Sequence, residues 1–556
     1  MTAAAIAARL RPAVSIAGRA ADSLDTHVKL ALATIVGAQV ALTAVLFFSV
    51  DHNGWLTYQG GDQIWLATTG WELGRGVLAY PLVGYGWPLV LAPLTWITGA
   101  SSIQLLPLTT ILQVGLLAPI ATFAVYDIGT RLYGRVAGLW CAAAWVAAPF
   151  VALPLFVDRY QERWAEQVLV QGLGLTQLAD FPSMVAVLVA AAFVVRSLEA
   201  GAFREAALAG TLAGFAAGMK PANYLFLVGP VAAYVLARRW REGAVFAVAL
   251  VPATVALMIW KERGLGTVPL FAAGAVHVAA GSLPQLPLAD SIFDKIPLDL
   301  DHWERNMSNL REFFWSARLV QWAPLAGAIV VARRSVPVAG LLLGWLLGYV
   351  VVKGSSEVAS IENASFWRLV MPALPAYVLL AAAVPLLLPT AVRRLRRRLE
   401  PPVSRRPPRA VVVGAVVLLA AVPLAVVRLA TLAQGPEAVV VNEILVPVDG
   451  DTISLRTERR GEAQLLTWTD TTTRARTFYH VYRTQTAGQP DTFCIPYPAN
   501  QCQLAMIELG VTRERSYVDR SPEPGVTYRV GVAANWVDDT AEGDVFALSP
   551  PVQTAP

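Results

Sequence analysis

Long apolar runs recur along this chain, and arginines return in every second gap between them. A helix needs about 20 mostly apolar residues to cross a bilayer. Runs of about that kind lie at 29–50, 104–128, 136–156, 181–197, 205–219, 221–237, 244–260, 316–332, 336–352, 369–391 and 410–430. Only 15% of the residues are charged and 56% are hydrophobic, whereas soluble domains carry roughly 25% charge. The pattern predicts a mainly α, polytopic membrane bundle of about eleven spans and excludes an ordinary soluble domain.

The arginines orient the bundle. Arg131/Arg135, Arg196/Arg204, Arg238/Arg239/Arg241, Arg333/Arg334 and the Arg393–Arg409 block fall on the same side as the N-terminus. Positive residues mark the cytoplasmic side. That bias accounts for the net charge of +5 better than nucleic-acid binding does. Arg9, Arg11 and Arg19 precede the first run with no clean small-residue cleavage site before Val28, so residues 1–28 are expected to be a cytoplasmic N-terminus leading into an uncleaved span.

The stretch from Trp87-Pro88 to Trp96 is apolar but too short to cross, and counting it would reverse every later loop. We expect a surface helix there, with Trp87 and Trp96 at headgroup depth. The outward segments are then 51–103, 157–180, 261–315, 353–367 and everything after 431, giving a membrane domain over 29–435 with its first outer loop at 51–103.

From 436 to 556 the chain is polar, Thr-rich and alternating. Ala463–Asp470 and Phe478–Gln485 alternate with period two, and Ser516–Trp536 contains two strands around a Pro-Gly turn. An extracytoplasmic all-β sandwich is expected. On that side of the membrane Cys494 and Cys502 would form a disulfide, whereas Cys141 lies in an apolar run as an inert thiol. Trp468, the Tyr-rich middle strand, the Asp519 turn and Tyr528-Arg529-Val530 resemble the fibronectin type III family. Sandwiches of that kind host many functions, and a structural or carbohydrate-contacting appendage is the expectation.

Five stretches, in order, carry a second resemblance: Tyr58–Ser102, Tyr126–Pro149, Leu178–Ala191, Ala213–Pro230 and Phe366–Ala383. Together they resemble the GT-C superfamily of polyprenyl-phosphate-sugar glycosyltransferases, of the ArnT and protein-mannosyltransferase kind. The resemblance implies an inverting transfer of sugar from a polyprenyl-phospho-sugar donor to a glycan, lipid or protein acceptor on the outer face of the plasma membrane. Such chemistry needs a carboxylate to deprotonate the acceptor, cations for the leaving phosphate and an apolar groove for the prenyl tail.

The catalytic Asp of the superfamily matches Asp62, which follows Gly60-Gly61 and would also suit a helix N-cap. Gln63 stands where relatives often carry a second acid, which argues against a two-carboxylate metal site and for a hydrogen bond to acceptor. Asp180 opens a span before Phe181-Pro182; it is either a cap or the acid that the superfamily places near the site. Lys220 breaks the positive-inside pattern, so it either holds lipid phosphate or snorkels to headgroups. Arg368 is a phosphate clamp or an interfacial anchor. Arg159 and Arg318 are further outward cations that Asp158, Glu162 or Glu312 could neutralise.

His302 with Asp299 or Asp301 fits no specific ligand pattern, and a solvated loop explains these residues better. No metal site and no cofactor are assigned, although assistance by a divalent cation is open. No P-loop, dinucleotide fingerprint or GxSxG elbow appears. The Ala/Arg-rich composition suggests a GC-rich bacterium and hence cell-envelope arabinose or mannose transfer. The alternatives are a transporter or lipid flippase, and a non-catalytic membrane scaffold that displays an adhesion-type sandwich.

Overall fold

The computed structural model describes residues 27–49, 61–78, 84–265, 298–314, 317–387, 407–432, 435–471, 477–495, 501–534 and 544–554. The N-terminal arginines, Gly60, His277, Asp294, Lys295 and most of the Arg/Pro block lie outside these residues.

Each apolar run forms a helix. The first, α1 (Val28–Ser49), leaves Leu30, Leu42, Val45 and Phe48 exposed, as a lipid-facing helix does. Two short helices follow, α2 (Gly61–Gly74) and α3 (Gly86–Thr98), with β1 (Val77–Leu78) between them. Thirteen residues rise only about 20 Å, so α3 cannot span, and it packs instead against α2. Trp96 lies exposed, its indole N–H on the Gly74 carbonyl, as an interfacial tryptophan would. Trp87 departs from expectation: it is fully buried, and its indole N–H donates to the Gln177 carbonyl at 2.7 Å.

The bundle continues with α4 (Ser102–Tyr133), which contains a π turn at Gln113–Leu117, and α5 (Arg135–Leu155). A short helix, α6, starts at Asp158–Arg163 and runs on to Gly172. Next come α7 (Asp180–Ala200), α8 (Phe203–Met219), α9 (Pro221–Leu236) and α10 (Trp240–Leu265). The remaining helices are α11 (Leu300–Phe313), α12 (Ala317–Arg334), α13 (Val336–Val352), α14 (Ser365–Leu387) and α15 (Arg409–Leu429).

Seven of these, α1, α4, α5, α7, α10, α14 and α15, are long and apolar enough to cross a membrane. Four of the eleven expected spans, α8, α9, α12 and α13, are not among them, and α9 and α13 are shorter apolar helices. Helices α9 and α13 pack against each other, with Phe226 and Trp345 edge to face at 5.3 Å. The chain is thus a multi-pass membrane protein whose bundle core is built from Ala, Val and Leu of α4, α5, α7, α8, α13 and α14. At the end of α7 remote from Asp180, Arg196 makes two bonds to Asp127, and Arg131 joins Asp127 to Glu199.

The last part is all β. β2 (Thr431–Leu432) pairs in parallel with β1, returning the chain to the segment between α2 and α3. The strands after it are β3 (Ala438–Val441), β4 (Ile444–Pro447), β5 (Ile453–Arg460), β6 (Ala463–Asp470) and β7 (Thr477–Arg483). Then come β8 (Thr492–Ile495), β9 (Gln501–Leu504), β10 (Ile507–Thr512), β11 (Ser516–Asp519), β12 (Thr527–Ala534), β13 (Asp544–Leu548) and β14 (Val552–Gln553). One sheet runs β11-β6-β5 and another β10-β7-β12-β13, with β14 on β12. Alternation of Ile453, Leu455, Leu466 and Trp468 on one sheet meets Tyr479, Val481, Tyr528 and Val530 on the other as a single core. A third sheet, β4-β3-β9-β8, carries the Cys494–Cys502 disulfide.

This β domain is docked rather than dangling. Ile64 of α2, with Ile103 and Leu106 of α4, belongs to the same apolar cluster as the sheets. Gly61 packs closely in that contact, since a Cβ there would lie 2.5 Å from the end of the Ile444 side chain, which would have to shift.

Candidate functional site

Four chain segments meet beneath the docked β domain. Asp62 lies in the first turn of α2, and Asp180 is the first residue of α7. Lys220 is the extended residue that ends α8, with Pro221 opening α9 after it. That turn is tied down by Asn223, whose amide donates to the Ala216 carbonyl and whose Oδ1 accepts from the Tyr349 hydroxyl at 2.6 Å. Arg368 lies in the opening turns of α14, before the chain changes its helical pitch at Met371–Ala373. Small residues allow this convergence. Gly218 faces the Tyr85 ring, and a Cβ would sit 2.6 Å from it.

The side chains form one ion cluster. Lys220 Nζ donates to Asp180 Oδ1. Arg368 Nε reaches Asp180 Oδ2 at 3.3 Å, and its Nη2 donates to Asp62. Exposure separates the two acids. Asp180 is 2% exposed and bridges both cations, whereas Asp62 is 44% exposed and touches only Arg368 among the cluster's cations. Two carboxylates balance two cations, so the cluster is formally neutral. A single anion entering it must displace a carboxylate or accept a net negative site.

The other sequence-derived candidates lie elsewhere. Gln63 is fully buried and accepts the Gln177 backbone N–H through Oε1 at 2.6 Å. Successive helical residues point about 100° apart, so its neighbour Asp62 faces the ion cluster while Gln63 faces the protein. It is not placed to bond an acceptor. Arg159 is exposed, pairs with Glu312 and lies over the Phe313 ring, and so does not join the cluster. Arg318 is exposed near the start of α12. Asp299 caps α11 by accepting the His302 N–H at 2.9 Å, a structural use of the segment that was considered for metal. Among the described residues, no group of three or more His, Cys, Asp or Glu is placed to hold a metal ion.

Gln177 and Gln113 beside this site carry no sequence signal, and Trp87 reads from sequence only as an interfacial residue. Gln113, at the π turn of α4, donates to the Thr176 carbonyl, and Gln177 Nε2 donates to the Ser102 carbonyl at 2.8 Å. These buried amides carry no motif, and only an unusual density of glutamine in apolar surroundings could have flagged them. Glu72 of α2 is 3% exposed, and burial, followed by the charge of Glu437, pushes its carboxyl up to about 8 against the opposing pull of Arg75.

No protein-family model and no curated protein matches the chain. Its structure is similar to that of the oligosaccharyltransferase AglB from Archaeoglobus fulgidus, solved with an inhibitory peptide and a dolichol-phosphate, at 12% identity and a TM-score of 0.36. That alignment covers 73% of this chain and 56% of AglB. It is also similar to ArnT from Cupriavidus metallidurans in the apo state, at 17% identity and a TM-score of 0.38, over 65% of this chain and 61% of ArnT. The chain therefore spans less than two thirds of either neighbour. At these scores no activity passes from them to this protein, and a functional reading has to stand on the residues.

Proposed function

We propose that this protein is a membrane glycosyltransferase of GT-C type that moves a sugar from a polyprenyl-phosphate carrier to a cell-envelope acceptor. What supports the reading is the meeting of Asp62, Asp180, Lys220 and Arg368, four residues from distant segments, next to a β domain that leaves Asp62 accessible.

Asp62 takes the proton from the acceptor hydroxyl. The acceptor oxygen then bonds to the anomeric carbon from the face opposite the phosphate, and the carbon–oxygen bond to phosphate breaks with inversion. Arg368 and Lys220 receive the leaving phosphate's charge. Asp180 keeps both cations in place. The apolar flanks exposed on the spans are where a prenyl tail would lie. The site faces the extracytoplasmic side, with the N-terminus cytoplasmic, and the β domain is a fibronectin type III-like sandwich walling the acceptor side. Its two facing sheets, with Trp468 and Tyr479 at 5.3 Å across the core, support that identification.

The test is to incubate purified protein with a panel of polyprenyl-phospho-sugars, arabinose and mannose donors included, beside Asp62→Asn. Transfer by the wild type that the variant loses supports the reading. Equal product from both removes Asp62 from the mechanism, and no transfer from any donor favours a transporter or a scaffold.

A further inference from the structure

We infer that Gln63 and Trp87 are positioning residues, which fix the distance between Asp62 and Asp180 by clamping the backbone of Gln177, one at its N–H and the other at its carbonyl. The inference rests on the transferase reading and assigns a role in it to two side chains that touch neither donor nor acceptor.

The geometry is specific. Gln63 is the neighbour of Asp62 on α2, and Gln177 lies three residues before Asp180 in the loop that opens α7. Gln63 Oε1 accepts the Gln177 N–H at 2.6 Å. The Trp87 indole on α3 donates to the carbonyl of the same residue at 2.7 Å. Both side chains are fully buried, as is Gln177, whose own amide reaches the Ser102 carbonyl at 2.8 Å. The loop that carries Asp180 is thus held by α2, α3 and α4 together. Within that loop Gly174 has φ +76°, a left-handed value that side chains disfavour, and the loop has no helical or strand ladder of its own to set its path.

A merely solvated loop would hold Asp180 through its salt bridges alone. Here the base-bearing helix and the cation-holding acid are linked through a path of one residue step from Asp62 to Gln63 and three from Gln177 to Asp180. Misplacement of reacting groups by about 1 Å can cost roughly 100-fold in rate. Donor affinity, by contrast, depends on Lys220, Arg368 and Asp180, which the clamp leaves paired with one another.

The experiment compares wild type with Gln63→Met, which keeps volume but loses the acceptor, with Trp87→Phe, which keeps an aromatic ring but loses the donor, and with the double variant. Each purified protein is assayed for kcat and for KM of the polyprenyl-phospho-sugar that the wild type uses. Binding stoichiometry of a polyprenyl phosphate normalises for folded protein. Each single variant is expected to lose about tenfold in kcat with KM changed less than about twofold. The double variant is expected to lose less than the product of the singles, because both bonds hold the backbone of one residue. Unchanged kcat in both singles, or independent multiplicative losses, would overturn the clamp while leaving the transferase reading intact. A wild type without transfer activity would instead remove the reading on which the clamp rests.

Discussion

Replacing Asp62 by asparagine should produce a protein that turns over poorly yet binds lipid phosphate more tightly than wild type does. Arg368 is shared between two carboxylates, and the cluster carries no net charge to offer an anion. Asp180, at 2% exposure, is fixed by two cations, so the half-exposed Asp62 is the partner that phosphate displaces from Arg368. The Asp62 and Arg368 side chains are 44% and 34% exposed, and pairs that solvent screens to this degree are worth about 0.2–1 kcal/mol. Since 1.4 kcal/mol corresponds to about tenfold in affinity, removing the competing charge should tighten polyprenyl-phosphate binding by roughly 1.5- to 5-fold. Loss of the general base should lower turnover by about 10²–10⁴. The assay is a titration of detergent-solubilised or nanodisc-embedded protein with a polyprenyl phosphate, run beside single-turnover transfer. Weaker or unchanged phosphate binding by Asp62→Asn would refute competition for Arg368.

Asp180→Asn should behave differently. It breaks a bridge between two poorly exposed cations, a loss near the lower end of the roughly 3–5 kcal/mol seen for buried pairs. A clear fall in apparent Tm is expected, whereas Asp62→Asn should scarcely change it; equal thermal shifts would contradict the burial argument. Glu72 supplies a pH test. Its carboxyl is raised to about 8 in the folded protein from an ordinary value of 4.5. Folding therefore takes up a proton, and stability is lost as pH rises from about 4.5 to 8. Glu72→Gln should raise Tm at pH 8 and give little gain at pH 5, with a gain of the same size at both values counting against it. In the β domain, Tyr528 and Arg483 both donate to Asp519 Oδ2 at 2.7 Å. Burial alone would raise the Asp519 carboxyl, but the bonds from Tyr528, Ser521 and Arg483 hold it below its ordinary value. Tyr528→Phe should cost about 1.5–3 kcal/mol of domain stability, and the difference from wild type should shrink as pH falls below the carboxylate range. A pH-independent difference would point to packing alone.

The helices were legible because a bilayer permits few solutions: every run that composition marked became a helix, although only seven of the eleven are long and apolar enough to cross a membrane. Lys220 and Asp180 stood out for a related reason. A lysine on the side where positive residues are scarce, and an acid before a span-opening proline, break a pattern that is otherwise kept, whereas Asp62 was found through the superfamily resemblance. Gln63, Arg159 and Arg318 show where such reasoning stops. Sequence position brings Gln63 next to Asp62, but helical rotation turns it into the protein, and Arg159 has a nearer acid in Glu312. Trp87 failed for a similar reason: an indole reads as interfacial from sequence, and only the fold supplies the carbonyl of Gln177 as its partner. The docking of the β domain on α2 depends on shape, through Gly61 and Ile444, and leaves no periodic signal.

The placement of three of the four charges follows from helix ends. Asp62 and Asp180 occupy first turns, where unpaired backbone N–H groups and the positive end of the helix dipole favour acids. Lys220 ends α8, where the opposite sign is favoured. Arg368 lies in the opening turns of α14, where the dipole opposes a cation, so its charge is held by Asp62 and Asp180 and not by its own helix. The pairing removes the net charge that a site beside lipid could not hold. A cluster built this way keeps its cations when Asp62 leaves, because the buried Asp180 still bridges both. That property is what a site needs if it is to exchange an internal carboxylate for the phosphate of a lipid and then release it.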